Sequence, residues 1–151
     1  IQGNTMNKIK YIIITVLATM IFAKISSAGH HQMTMMYGGE FTNMNIVANG
    51  DHMSVSGAFI GTNRMTMENG DVIQTNFMCP ALFINGDGNG TCKMKDAKSE
   101  DFWVLVWHCG VDGQCKGDAV NGTGRFEGVT GKMSWWNDSG WGEGSGTFIM
   151  K

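Results

Sequence analysis

The stretch that decides the fold is Asn121–Trp135, "NGTGRFEGVTGKMSW". Glycines recur within it at Gly122, Gly124, Gly128 and Gly131. Glycine admits positive φ without steric cost and lets another backbone come close. Arg125 and Phe126 stand between them and are expected on alternate faces. Glycines so spaced predict a tightly bent strand pair, as the corner of a β-barrel requires.

The sequence around this stretch alternates with period two, which is the signature of half-buried strands. In "MSVSGAF", Met53, Val55, Gly57 and Phe59 alternate with Ser54, Ser56 and Ala58. Further strands are expected at "DVIQTNFMC" (Asp71–Cys79), "TCKMK" (Thr91–Lys95), "KMSWW" (Lys132–Trp136) and "GTFIM" (Gly146–Met150). "FWVLVWHC", Phe102–Cys109, is the most apolar and is expected to be central. "ENGD", Glu68–Asp71, carries the Asn-Gly pair of a type I′ hairpin. The chain has 22 glycines and one proline, and helix signals nearly vanish after residue 28. Many short strands at this spacing predict an all-β sandwich or antiparallel barrel; a barrel also removes the exposed edges that aggregate.

The same segment resembles the "GGTGKFxGxTG" motif of the allene oxide cyclase barrel and dirigent group. The matching positions are Gly122, Thr123, Gly124, Phe126, Gly128 and Gly131, while Asn121 stands where a first glycine is usual. "GEGSGTF", Gly142–Phe148, fits the closing strand of that group, and the likeness spans roughly residues 57–151. It is nearer to small exported bacterial proteins of this barrel type than to the plant enzymes. The resemblance implies an eight-stranded antiparallel barrel able to hold an apolar small molecule. The plant cyclase's catalytic residues find no matching positions here, so no catalytic residue is assigned.

Residues 1–28 read as upstream residues and a secretory signal peptide. Met6 reads as the start, Lys8 and Lys10 form a positive region, and "YIIITVLATMIFA", Tyr11–Ala23, is an apolar run ended by Lys24. Small residues at Ser26 and Ala28 place cleavage after Ala28. The run is too short for a membrane span, which needs about 20 apolar residues, and no second such run follows. A periplasmic or secreted address is expected. Residues 29–39 are expected as a flexible leader and 40–151 as the barrel domain. Without Lys8, Lys10 and Lys24, 8 basic residues face 13 acidic ones. That balance, with no basic patch, argues against nucleic acid as a partner.

Four cysteines, Cys79, Cys92, Cys109 and Cys115, remain in the exported part. An even count in an exported chain reads as disulfides, in one of three pairings. Cys79–Cys92 and Cys109–Cys115 are favoured because each joins the ends of a short hairpin-like segment. No CxxC occurs, and the histidines are not interleaved with the cysteines as a zinc cluster needs.

Two sets of residues carry candidate chemistry. The aromatic residues gather late in the chain. Trp103, Trp107, Phe126 and Trp135, with His108, are expected either to fill the core or to line the mouth of a ligand-holding barrel. Trp135 and Trp136 are adjacent, so one points in and one out.

The second set is "GHHQMTMM", Gly29–Met36. A terminal Gly29-His30-His31 offers the amine, two amides and imidazole of a square-planar Cu(II) site, and Met33, Met35 and Met36 follow with soft thioethers suited to Cu(I). Within "NGDGNG", Asn85, Asp87, Asn89 and Gly90, with Asp96 at the twelfth position, have calcium-loop spacing, but a polar hairpin turn is favoured. No nucleophile elbow, P-loop or His-Glu-x-x-His motif appears. The expected function is binding of an apolar small molecule. Copper handling, a barrel isomerase or cyclase, and a structural role are the alternatives.

Overall fold

The computed structural model describes residues 31–150. Residues 1–28, expected as a signal peptide, together with Gly29, His30 and Lys151, lie outside the described residues. Eight strands follow one another: β1 (His31–Asn49), β2 (His52–Met67), β3 (Val72–Ile84), β4 (Asp87–Asp96), β5 (Phe102–Cys109), β6 (Gln114–Gly122), β7 (Thr130–Asp138) and β8 (Trp141–Ile149). Each pairs antiparallel with its sequence neighbour, and β1 also pairs with β8, so the sheet closes into a barrel. Closure leaves no strand central, so β5 has no privileged place.

Each strand keeps one parity inward. Met33, Met35 and Tyr37 face inward from β1, while Ile73, Thr75, Phe77, Cys79 and Ala81 do so from β3. Trp135 is 7% exposed and Trp136 45%, as their adjacency requires. Several inward positions are glycines inside strands, among them Gly90, which lies in β4 although "NGDGNG" reads as a turn. A Cβ on Gly90 would stand 2.7 Å from the Trp107 ring, and one on Gly142 would stand 2.5 Å from the Tyr37 ring. Small residues thus give the large rings their room, as the interior of a narrow barrel demands.

The two ends differ. At the base, Met65, Trp103, Phe126, Val129 and Phe148 are fully buried and form a solid plug. Trp103 and Phe126 both pack edge-on against Phe148, with ring centroids at 5.1 and 6.4 Å. Burying each such side chain contributes about 2 kcal/mol. Residues 31–39, expected as a leader, form the first half of β1. Their alternating methionines are the inward and outward faces of a strand rather than a slack tail.

The deciding stretch also differs in detail. Between β6 and β7 the chain makes a 3-10 turn, Gly124–Phe126, in place of a simple bent strand pair. It swings Phe126 into the base and sends the Arg125 guanidinium to Asp96 Oδ1 at 3.0 Å. The paired positive φ values of a type I′ turn occur at Asn85–Gly86 and at Ser139–Gly140; at Asn69–Gly70 only Gly70 has positive φ. Asp87 already belongs to β4, so "NGDGNG" is a turn and a strand start. Asp96 sits at the far end of β4, bonded to Arg125, and no calcium loop forms.

Disulfides join Cys79 to Cys92 across β3–β4 and Cys109 to Cys115 across β5–β6, with Cα atoms 4.0 Å apart in each. Two such bonds fit an oxidising compartment outside the cytoplasm. No helix among the described residues is long and apolar enough to cross a membrane.

Candidate functional site

The upper half of the barrel is hollow. Past Gly38, β1 loses its pairing with β8 and runs on as an arm beside β2, which itself stays paired with β3 up to Ser54–Ile84; the arm is bent by a bulge at Thr42–Asn45 where Asn43 has φ +53°. Below this arm the inward side chains leave a cavity of about 90 Å³. That is room for a few water molecules or for an organic molecule no larger than about a single benzene ring.

Its wall is a connected belt of aromatic rings. Tyr37 meets Phe77 at 6.1 Å and Phe59 at 6.2 Å; Phe59 meets Phe41 at 4.9 Å. Phe41 meets Phe83 at 5.8 Å, and Phe83 meets Trp107 at 5.8 Å. Trp135, Leu105, Met35 and Met94 complete the apolar lining, and Cys79, Cys92 and Cys109 place both disulfides against it. Polar atoms are few: the Tyr37 hydroxyl, Asn137, Asn63 and the Trp107 indole N–H.

Tyr37 donates its hydroxyl to Asn137 Oδ1. Burial pushes its pKa up to about 12, and a hydrogen bond with the Trp135 side chain lowers it in part. The phenol is therefore neutral throughout the ordinary pH range. Asn63, 4% exposed, has no partner for Oδ1, and Trp107, 8% exposed, has none for Nε1.

The structure brings together only part of the expected site. Trp107 and Trp135 line the cavity. Trp103 and Phe126 do not; they belong to the plug at the base. His108 faces outward, because β5 turns its odd positions in, and its Nε2 lies 3.0 Å from Asp87 Oδ1 on the outer surface. It is not an acid or base of the cavity. Among the thioethers, Met33 and Met35 are buried inside while Met36, 60% exposed, points out. These three sulfurs do not converge on one ion. His31 begins β1 and is half-buried. Among the described residues no three His, Cys, Asp or Glu side chains gather as a metal site.

Sequence reasoning missed Tyr37, Phe41, Phe59, Asn63, Phe77 and Phe83. Parity held the missing signal. Cys79 must face inward to reach Cys92, which puts Phe77 and Phe83 on the same inner face of β3. No protein-family model matches the chain, and no curated protein or solved structure does either.

Proposed function

We propose that this protein is an exported binding module that encloses a small apolar molecule in the upper half of its barrel. One observation carries the reading: a hollow belted by Tyr37, Phe41, Phe59, Phe77, Phe83 and Trp107 lies above a filled base. An open apolar space inside an otherwise close-packed protein forfeits contacts that a ligand would restore. Ligand sites in small barrels take this form, mostly apolar with a few placed polar groups. The resemblance of Asn121–Trp135 to the allene oxide cyclase barrel group agrees with a ligand-holding barrel. The apolar segment Tyr11–Ala23 and the two disulfides support an address in the periplasm or beyond the cell.

Binding fits better than catalysis. No Asp, Glu, Lys, Arg, His or free thiol lines the cavity, so general acid–base or nucleophilic chemistry would fall to the Tyr37 phenol alone. The test is titration of toluene into the protein, followed by tryptophan fluorescence and calorimetry. Saturable one-to-one binding is expected, and Phe41→Asp at the cavity rim should weaken it at least about ten-fold by setting a charge against the ligand. Absence of saturable binding to the folded protein would overturn the reading.

A further inference from the structure

The interior polar groups are not scattered. Strand register places Asp96 of β4 opposite Thr75 of β3, Thr75 opposite Asn63 of β2, and Asn63 opposite Tyr37 of β1. Tyr37 in turn stands opposite Gly142 of β8, and Gly142 opposite Asn137 of β7. One row of facing strand positions therefore climbs from the base to the mouth and carries the buried polar residues Asp96, Thr75 and Asn63 together with the Tyr37–Asn137 pair.

The two ends of this row are satisfied. Asp96 accepts from Arg125 and from the Ser99 hydroxyl, each at 3.0 Å, and Tyr37 bonds Asn137. The middle is not: Asn63 Oδ1 and Thr75 Oγ1 have no partner. Trp107 Nε1, on a cavity-lining residue, has none, nor has Trp103 Nε1, which lies in the base plug away from the cavity. A buried polar atom left without a hydrogen bond is costly, and native structures keep few of them.

We infer that the cavity's ligand carries a neutral head group, a hydroxyl or an amide, that donates to Asn63 Oδ1 and accepts from Trp107 Nε1 while its apolar body lies on the aromatic belt. This deepens the binding role proposed above and rests on it. A carboxylate does not suit the site. It has no proton for Asn63, and no cationic side chain lines the cavity to offset its burial. The one guanidinium reaching the interior row, that of Arg125, is engaged by Asp96.

Three single-ring probes test the assignment: phenol, toluene and benzoate, titrated in parallel into wild type, Asn63→Leu and Trp107→Phe. In wild type, phenol should bind on the order of ten-fold more tightly than toluene, and benzoate more weakly than either. In each variant the preference for the hydroxyl should fall to within about two-fold. Equal affinity of phenol and toluene in wild type would overturn the head-group assignment and leave the apolar cavity standing. So would tighter binding of benzoate, or an undiminished hydroxyl preference in both variants. Failure of all three probes to bind wild type would overturn the cavity reading and this assignment with it. The wild-type comparison needs no variant to fold.

Discussion

Tyr37 and Asn137, 100 residues apart in sequence, meet in one hydrogen bond at the rim of the cavity. Their strands are not neighbours, since β8 lies between β1 and β7. The bond spans β8 at Gly142, whose missing side chain leaves the Tyr37 ring its place. The rim is thus held by a phenol that must stay protonated to donate.

That requirement makes stability depend on alkaline pH. The pKa of Tyr37 is raised from 10.0 to about 12 in the folded state, first by burial. Between those values the folded chain holds a proton that the unfolded chain has lost. The contribution is fully present below pH 10 and is lost as pH rises through about 12. Phenolate absorbance at 295 nm, recorded as the difference between wild type and Tyr37→Phe, should show a midpoint near 12. A midpoint near 10 would mean that the ring is solvated.

The disulfides should dominate stability. Cys79–Cys92 closes a loop with a sequence separation of 13, and removing such a bond costs about 3 kcal/mol. Cys79→Ala with Cys92→Ala should therefore lower the denaturant midpoint strongly without changing the strand content seen by circular dichroism. Alkylation of unfolded, unreduced protein should label no thiol. Peptide mapping without reduction should link Cys79 to Cys92 and Cys109 to Cys115 alone.

Much of the fold is legible in local pattern. Local pattern marks strands within β2, β3, β4, β5, β7 and β8 but not the glycine-broken β6 (Gln114–Gly122), and the short cysteine spacings name both pairs because hairpins bring near neighbours together. The site is less legible, for reasons of geometry. Trp103 and Trp107 share a parity, yet one plugs the base and the other lines the cavity. Height along the barrel axis, which decides between them, has no period in the sequence. His108 looks apolar by its neighbours, but one residue of phase puts it outside. Asn63 and Thr75 carry no motif; only register across three strands brings them into one row with Tyr37.

Of the glycines in Asn121–Trp135, Gly124 and Gly128 have positive φ while Gly122 and Gly131 do not, and the cost of filling a position of the first kind is measurable. Gly124 has φ +52°, and a Cβ there would run into the Asp101 carboxylate, which accepts from the Arg125 backbone N–H at 3.2 Å. Gly124→Val should cost about 1–3 kcal/mol. Gly38, with ordinary φ and nothing within 4 Å of an added Cβ, is the matched control. Gly38→Ala should change stability by under about 0.5 kcal/mol. Comparable losses at both sites in urea denaturation would contradict the 3-10 turn at Gly124–Phe126.

The methionines of β1 give the sharpest contrast between the two readings of "HQMTMMY". As a mobile metal-binding leader, Met33, Met35 and Met36 would be interchangeable and irrelevant to folding. As a strand, they must differ by parity. Met33 and Met35 are 3% and 5% exposed and pack inside the barrel, while Met36 lies outside at 60%. Truncating a buried methionine removes its transfer free energy and leaves a cavity, so Met33→Ala and Met35→Ala should each cost about 2–4 kcal/mol. Met36→Ala should cost under about 0.5 kcal/mol. Met35 has a second signature, because its side chain lines the ligand cavity whereas Met33 does not. Met35→Ala should therefore alter toluene affinity as well as stability, and Met33→Ala should alter stability alone. Chemical denaturation and probe titration on the three variants separate these effects. Equal, negligible losses in all three would return this segment to the status of a leader and open the barrel between β8 and β2.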